Sequence, residues 1–592
     1  MSDDAKLAAL LSCALAEEGT YLPVIDGPRM QRPDGRNEVV RRTNAIARVQ
    51  PNAVFLAGLS PEGLAAIAPK VPRRMQVRVN GTEDFPPHLK ERFAATKPVQ
   101  WGSGQLAVGL LKALRAGTLI EFHEGASPFE TIPTKSGHVV VCEAGEDMSE
   151  IMAANYAFAL GAGLKVIPAM PEKVATEIMD RLYLLYESGD PHAAFQAVRA
   201  ELKQLSGEVE IPEDGSLTFF SRMLPMGIAF PQFPSTHMFT YPDLGVALIN
   251  GFAAEQPGTS GVNVAVLVDP QTTSAGEIEP AIEDLVKRRT FVRVHRGAGA
   301  DVSEVSNTVD LYPYDLLVFA THCGDASGYR WTYKYADSEG IDRTLVVDIA
   351  LGVGQTNDPD TLAVTEFIRF HALDGVDWNG PEKAALYVGK AILDFMEFKK
   401  DKDFKPVARE NIGRVLGSAA MRMNDGNYLP LPRSLANEQA PIIINNACVS
   451  WHELAGRFMF ANARAYVGTL VDVNTMVARE IVPLLVGKYY GMPLAEALWA
   501  AQKDVFGDVE RQPYVMNGVY TQALRAEKQD TPALILEKLK TANAHWTSAT
   551  EAHRKMGDAE AAERTNLIVD YYTAELAAFG KRMAELEVVS AG

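Results

Sequence analysis

The feature that most constrains this chain occurs twice: a short, wholly apolar run that breaks abruptly into polar residues. Leu316-Leu317-Val318-Phe319-Ala320 ends in Thr321-His322-Cys323-Gly324-Asp325, and Ile442-Ile443-Ile444 ends in Asn445-Asn446-Ala447-Cys448. Such runs are too short for a helix and too continuous for a strand with one wet face. They read as strands of a parallel sheet covered on both sides, which calls for an α/β architecture. In such sheets the crevice at the carboxyl ends of the strands is where sites are built, so each run delivers a reactive side chain to that edge.

The neighbouring segments agree. Val262 to Val268 and Phe291 to His295 read as further strands, with an amphipathic helix over Gly276 to Arg288 between them. Upstream, Ala53 to Ala57, Pro61 to Ala68 and Met75 to Val79 form a strand, helix and strand pattern. A second such unit runs through Val139 to Val141, Asp147 to Leu160, the stop Gly161-Ala162-Gly163 and Lys165 to Ala169. Residues 205–260 are rich in Gly, Pro and Ser and place a boundary near 230. From 527 the chain turns to Ala, Glu, Lys and Leu at helical spacing, broken once at Met556-Gly557-Asp558. The spacing predicts an N-terminal α/β domain over 1–230, a doubly wound α/β domain over 231–526 and a C-terminal helical hairpin over 527–592.

Composition narrows the function classes. The formal net charge of −18 repels phosphate backbones and anionic membrane surfaces, and no basic patch offsets it. The acidic start Met1-Ser2-Asp3-Asp4 is unlike a secretory signal, and no run of about 18 apolar residues occurs. The expectation is a cytoplasmic protein bound to neither membrane nor nucleic acid. Four scattered cysteines, Cys13, Cys142, Cys323 and Cys448, suit a reduced chain better than a disulfide scaffold or a zinc site. No glycine-rich phosphate loop follows any strand; the nearest candidate, Trp101-Gly102-Ser103-Gly104 before a helical stretch, reads as a turn and cap. No metal or cofactor is expected.

His322 and Cys448 gain meaning as a pair. Attack of a cysteine on a carbonyl needs a thiolate or a base within reach, and a histidine on a neighbouring strand end accepts that proton and returns it to the leaving amine. The tetrahedral intermediate needs amide donors, and the backbone N–H groups of Gly324 and Cys448 are the expected ones, with the Cys323 amide as the alternative to Gly324. Asp325 and Asp348 qualify as a third member by position only, so the role is left empty. His237 and His452 read as structural.

Phe319-Ala320-Thr321-His322 resembles the histidine motif of the CHAT peptidases, relatives of caspases, gingipains and separases. The cysteine side is similar as well. Asn446-Ala447-Cys448-Val449-Ser450, the stretch Phe460 to Ala465, and Gly468-Thr469-Leu470 resemble that family's cysteine strand, helix and following strand. Lys488 to Leu498 resembles the helix pair that closes its domain. The similarity spans about 260–510, with one departure: Cys323 separates His322 from Gly324.

This resemblance implies a caspase-like fold and a cysteine endopeptidase acting on a protein substrate through a Cys448–His322 dyad. It also implies regulation by a partner or ligand at residues 1–230, themselves expected to be a degenerate caspase-like domain, and a bacterial antiviral or cell-death setting. Relatives that cut after Arg or Lys carry an acidic residue two before the cysteine, where this chain has Asn446. A neutral or small apolar residue before the scissile bond is therefore expected, unless Asp472 lines the same pocket and reverses the preference. The alternatives are a non-catalytic caspase-like scaffold that assembles partners, and a nucleotide sensor centred on the N-terminal domain.

Overall fold

A computed structural model describes the chain apart from residues 32–34, 94–95, 146, 241–242, 256–260, 273–275, 277, 356–361, 402, 433, 508–511, 527–529 and 591–592. Its centre is one mixed sheet of eleven strands. From one edge, Phe291–Arg296, Val264–Asp269, Leu316–Phe319, Ile442–Asn445 and Ala465–Thr469 run parallel. Tyr514–Gly518 then runs antiparallel to Ala465–Thr469. Beyond it Ser235–Phe239, Ser216–Ser221, His138–Glu143 and Gly163–Ile167 continue parallel to one another, and Thr131–Ile132 closes the far edge antiparallel.

The apolar runs lie in this sheet because both faces are covered. Val264, Val266 and Val268 face one core while Ala265 and Leu267 face another. The first core is continuous across both halves of the sheet, reaching from Leu217 and Phe219 to Phe458 and Tyr466. The C-terminal helices Thr531–Met556 and Ala559–Ser590 pack on that same face through Ile535, Leu539, Tyr572 and Phe579. Gly557, at φ +75°, ends the first of them in the left-handed conformation that glycine adopts without steric cost.

The expected boundary near 230 falls inside the first half of the sheet. Ser235–Phe239 pairs with Ser216–Ser221, and helix Leu244–Ala253 packs its Leu244 and Leu248 into the N-terminal core. The second half begins at Val264. The strand and helix unit near residue 54 stands apart from the main sheet, as the two-stranded parallel pair Val54–Ala57 and Gln76–Val79. The expected hairpin boundary adjoins 527–529, which lie outside the described residues.

Between the two apolar runs the chain builds a five-stranded antiparallel sheet. Gly328–Ala336, Asp342–Gln355 and Leu362–Leu373 are its long strands, flanked by Val376–Asp377 and Ala408–Ile412. Tyr333, Leu345, Val347 and Leu373 pack there on Ala391 and Phe395 of helix Ala391–Phe398. Among the described residues no helix is long and apolar enough to cross a membrane.

Candidate active site

Strands Leu316–Phe319 and Ile442–Asn445 lie side by side with Phe319 paired to Asn445, and the Asn446 amide donates to the Phe319 carbonyl at 2.9 Å. Three residues beyond each member of that pair stand His322 and Cys448. The sheet thus brings the two expected residues to one edge from positions 126 apart in the sequence.

His322 is exposed, and its backbone is pinned from the side. The Arg422 amide donates to the His322 carbonyl at 2.9 Å, and the Thr321 hydroxyl donates to the Arg422 carbonyl. Cys323 and Gly324 then pair with Met421 and Ala420 in an antiparallel ladder. Because hydrogen-bonded pairs alternate along such a ladder, the pairing of Arg422 with His322 makes Gly324 and Ala420 the next bonded pair. The Gly324 amide is thereby directed at Ala420, and the Cys323 amide points away from that strand. Of the two amides expected at the oxyanion, the Gly324 one is thus taken up by the ladder and the Cys323 one is not. A side chain built at 324 would meet open space, so no protein neighbour requires glycine there.

The Cys323 side chain packs against the core that holds Met421 and Trp451. Burial, reinforced by the neighbouring Cys448 and Asp325, pushes its thiol up to about 12. That is an inert thiol at neutral pH.

Cys448 sits at the start of a tightly braced turn. Ser450, fully buried, donates from Oγ to the Asn445 carbonyl at 2.9 Å and accepts the Thr469 amide at 3.1 Å. Thr469 Oγ1 donates to the Ala447 carbonyl at 2.7 Å, and the Tyr466 hydroxyl to the Ser450 carbonyl at 2.6 Å. Between them Val449 is held at φ +47°, a left-handed conformation that costs a β-branched residue on the order of 1–2 kcal/mol. The half-buried Cys448 thiol is turned to Val473, whose amide lies 3.5 Å from Sγ and whose carbonyl lies 3.7 Å away. It is not hydrogen-bonded to His322. Burial raises the thiol above its ordinary value; the Val473 amide pulls it back, and the exposed Asp472 carboxylate adds to the rise.

Asn446, expected to line the substrate pocket, is instead 3% exposed. Its Nδ2 donates to the Ala478 carbonyl at 2.8 Å and its Oδ1 accepts from the Tyr514 hydroxyl at 2.5 Å. It braces the strand end from within, which leaves Asp472 as the expected pocket residue that stands at the thiol. Asp325 and Asp348 are both engaged by arginines: Arg414 Nε donates to the first at 2.9 Å and Arg330 Nε to the second at 2.7 Å.

Other candidates resolve into structure. His237 is buried and doubly bonded: Nε2 accepts from the Gly227 amide at 2.9 Å, and Nδ1 donates to the Met516 carbonyl at 3.0 Å. At the helix Leu106–Ala116 that follows Trp101-Gly102-Ser103-Gly104, the buried Glu150 carboxylate accepts the Ala107 amide at 2.8 Å. The anion at that helix terminus is the protein's own. Among the described residues no group of three or more His, Cys, Asp or Glu side chains is placed to hold a metal ion.

The bracing roles of Ser450, Thr469 and Tyr466 were not read from sequence. Their signal was the presence of hydroxyl side chains in otherwise apolar strands, where each needs a partner. No protein-family model matches the chain, and no curated protein matches it in sequence.

Proposed function

We propose that the chain is a cysteine endopeptidase of the CHAT, caspase-like class, with Cys448 as nucleophile and His322 as general base and acid. The observation that carries this reading is the pairing of Phe319 with Asn445, which sends both loops off one sheet edge at the same level. His322 accepts the Cys448 proton as the sulfur attacks the scissile carbonyl, and returns it to the leaving amine. The Cys323 and Cys448 amides serve the oxyanion. Hydrolysis of the acyl-enzyme then frees the thiol.

The resting geometry fits an enzyme held in check. A protonated thiol turned toward Val473 is not yet the attacking species, and a partner or ligand acting through the N-terminal half is the expected trigger. A bacterial antiviral or cell-death role belongs to the same reading. Asp472 beside the thiol favours a basic residue before the scissile bond over the neutral one that Asn446 suggests.

The raised Cys448 thiol also favours a second reading, a non-catalytic caspase-like scaffold. Digestion of a mixed peptide library by wild type and Cys448→Ala, with mapping of the iodoacetamide-labelled residue, separates the two. Cleavage and labelling that depend on Cys448 support the peptidase. A thiol that stays inert in folded protein, with no cleavage, supports the scaffold.

A further inference from the structure

The small parallel sheet of the N-terminal half has one covered edge and one open edge. Val54–Ala57 is flanked on one side by Gln76–Val79 and on the other by Met1 and Ser2, where the Ala57 amide donates to the Met1 carbonyl at 3.0 Å. On the outer side of Gln76–Val79 no strand or bridge is paired among the described residues.

Register decides which groups stand at that open edge. The Gly58 amide donates to the Val79 carbonyl at 3.0 Å, so Val79 turns its polar groups toward Val54–Ala57. Successive residues of a strand send their amide and carbonyl to alternate sides, so Arg78 turns its own outward. The outward amides on either side of it are already used. That of Gln76 donates to the Arg73 carbonyl, and that of Asn80 to Asp84 Oδ2 at 2.8 Å. The Arg78 amide and carbonyl have no hydrogen-bond partner among the described residues. Such an edge is a template for one more strand.

A groove of about 1200 Å³ runs beside it. Pro61, Leu64 and Ala65 of helix Pro61–Ile67, with Ala68 just beyond, give it an apolar floor at the spacing of one helix face. Lys70, Arg73 and Arg78 line the groove, and exposed Arg74 follows Arg73. Among the described residues no side chain of these four is hydrogen-bonded or ion-paired, and no acidic residue lines the groove. The groove is therefore a local exception to a chain of formal net charge −18. Its cations call for carboxylates, and the paired donor and acceptor of Arg78 call for a polypeptide backbone.

We propose that this groove binds an acidic segment of a partner protein, held in extended conformation as a third strand on the edge of Gln76–Val79. The partner's backbone pairs with Arg78. Its carboxylates lie on the side of Gln76 and Arg78, over the groove, and the residues between them lie on the side of Val77. Val77 packs with Phe55 and Phe85, so those alternate residues are apolar. The groove shares no residue with the Cys448 edge, and its assignment does not depend on peptidase activity.

Fluorescence anisotropy on the full chain with a dye-labelled, capped Val-Glu repeat peptide tests this. The controls are the Val-Lys repeat and the Val-Glu peptide N-methylated along its backbone, which keeps the charge and loses the donors. The Val-Glu peptide is expected to bind, both controls to bind about tenfold more weakly or worse, and high salt to weaken all binding. Arg78→Glu and Lys70→Glu, at exposed positions, are each expected to melt like wild type and to weaken binding about fivefold or more. Arg78→Pro removes the outward amide and spares the ladder to Val54–Ala57; it is expected to bind more weakly than Arg78→Gln, which loses charge alone. Equal binding by either control peptide, charge-reversed variants that bind normally, or a folded Arg78→Pro that matches Arg78→Gln would each overturn the proposal. An oligothymidylate of matching charge that binds more tightly than the Val-Glu peptide would give the groove to a nucleic acid, and self-association in sedimentation velocity that Arg78→Glu abolishes would give it to a second copy; either would overturn it as well.

Discussion

Phe319 and Asn445 are direct partners in adjacent parallel strands, and each is followed, three residues on, by a side chain of the proposed dyad. The relationship makes a strong demand on two substitutions. With the sheet intact, Cys448→Ala abolishes peptide cleavage, because no other thiol stands at that edge in a reactive state; Cys323 packs against the core and desolvation pushes its thiol up to about 12. His322→Ala lowers turnover about 10²–10⁴-fold, the usual worth of a positioned acid and base. Steady-state cleavage of a library-selected peptide measures both. Activity retained in Cys448→Ala would move the nucleophile elsewhere.

The Asp472 carboxylate stands beside the Cys448 thiol and, after burial, is a cause of its raised pKa. A negative neighbour disfavours the thiolate. Asp472→Asn is therefore expected to lower the thiol's pKa and shift the pH profile of iodoacetamide labelling at Cys448 to lower pH, with faster labelling at neutral pH. If Asp472 also receives a basic substrate residue, the same variant loses preference for arginine and lysine peptides even as its thiol becomes more reactive. Those opposite movements are read from labelling rates and from cleavage ratios on paired peptides.

Ser450 ties the turn on both sides of Val449, giving one hydrogen bond to Asn445 and taking one from Thr469. Ser450→Ala strands the buried Thr469 amide and costs about 1–3 kcal/mol of stability. Freed from this tie, Val449 relaxes out of its left-handed conformation and Cys448 moves off its aim. The expected kinetic signature is a fall in kcat with KM nearly unchanged, alongside a lower denaturation midpoint. A variant that loses stability but keeps wild-type kcat would show that the tie is structural only.

The sheet strands were legible where they are continuously apolar, as in Leu316 to Ala320 and Ile442 to Ile444, because burial on both faces leaves no polar alternation to confuse the period. Ser235–Phe239 was missed for the opposite reason. It carries Thr236 and His237 into the core, where Thr236 Oγ1 donates to the Gly518 carbonyl at 2.8 Å and His237 Nδ1 to Met516, and those partners come from 282 and 279 residues away. The inserted antiparallel sheet was not read from sequence, although a local signal was there in the alternation of Trp331, Tyr333 and Tyr335 with exposed Lys334. Asn446 was misplaced because its burial is decided by Tyr514, 68 residues on, which no local pattern reveals.

His237 sits where the two halves of the sheet join, fully engaged as a neutral ring between Gly227 and Met516. Burial lowers its pKa to about 4, against an ordinary value of 6.5. Between those two values the unfolded chain binds a proton that the folded chain refuses, so stability rises with pH across that window. The contribution is complete above pH 6.5 and is lost as pH falls toward 4. For this one buried ring it amounts to about 3 kcal/mol. Thermal unfolding of wild type is therefore expected to weaken steeply between pH 6.5 and pH 4.5, and His237→Gln, which has no proton to take up in either state, to show a shallower decline despite a lower midpoint at pH 7. Parallel pH slopes in the two proteins would locate the acid sensitivity in other buried histidines, of which His138 and His452 are the nearest in kind.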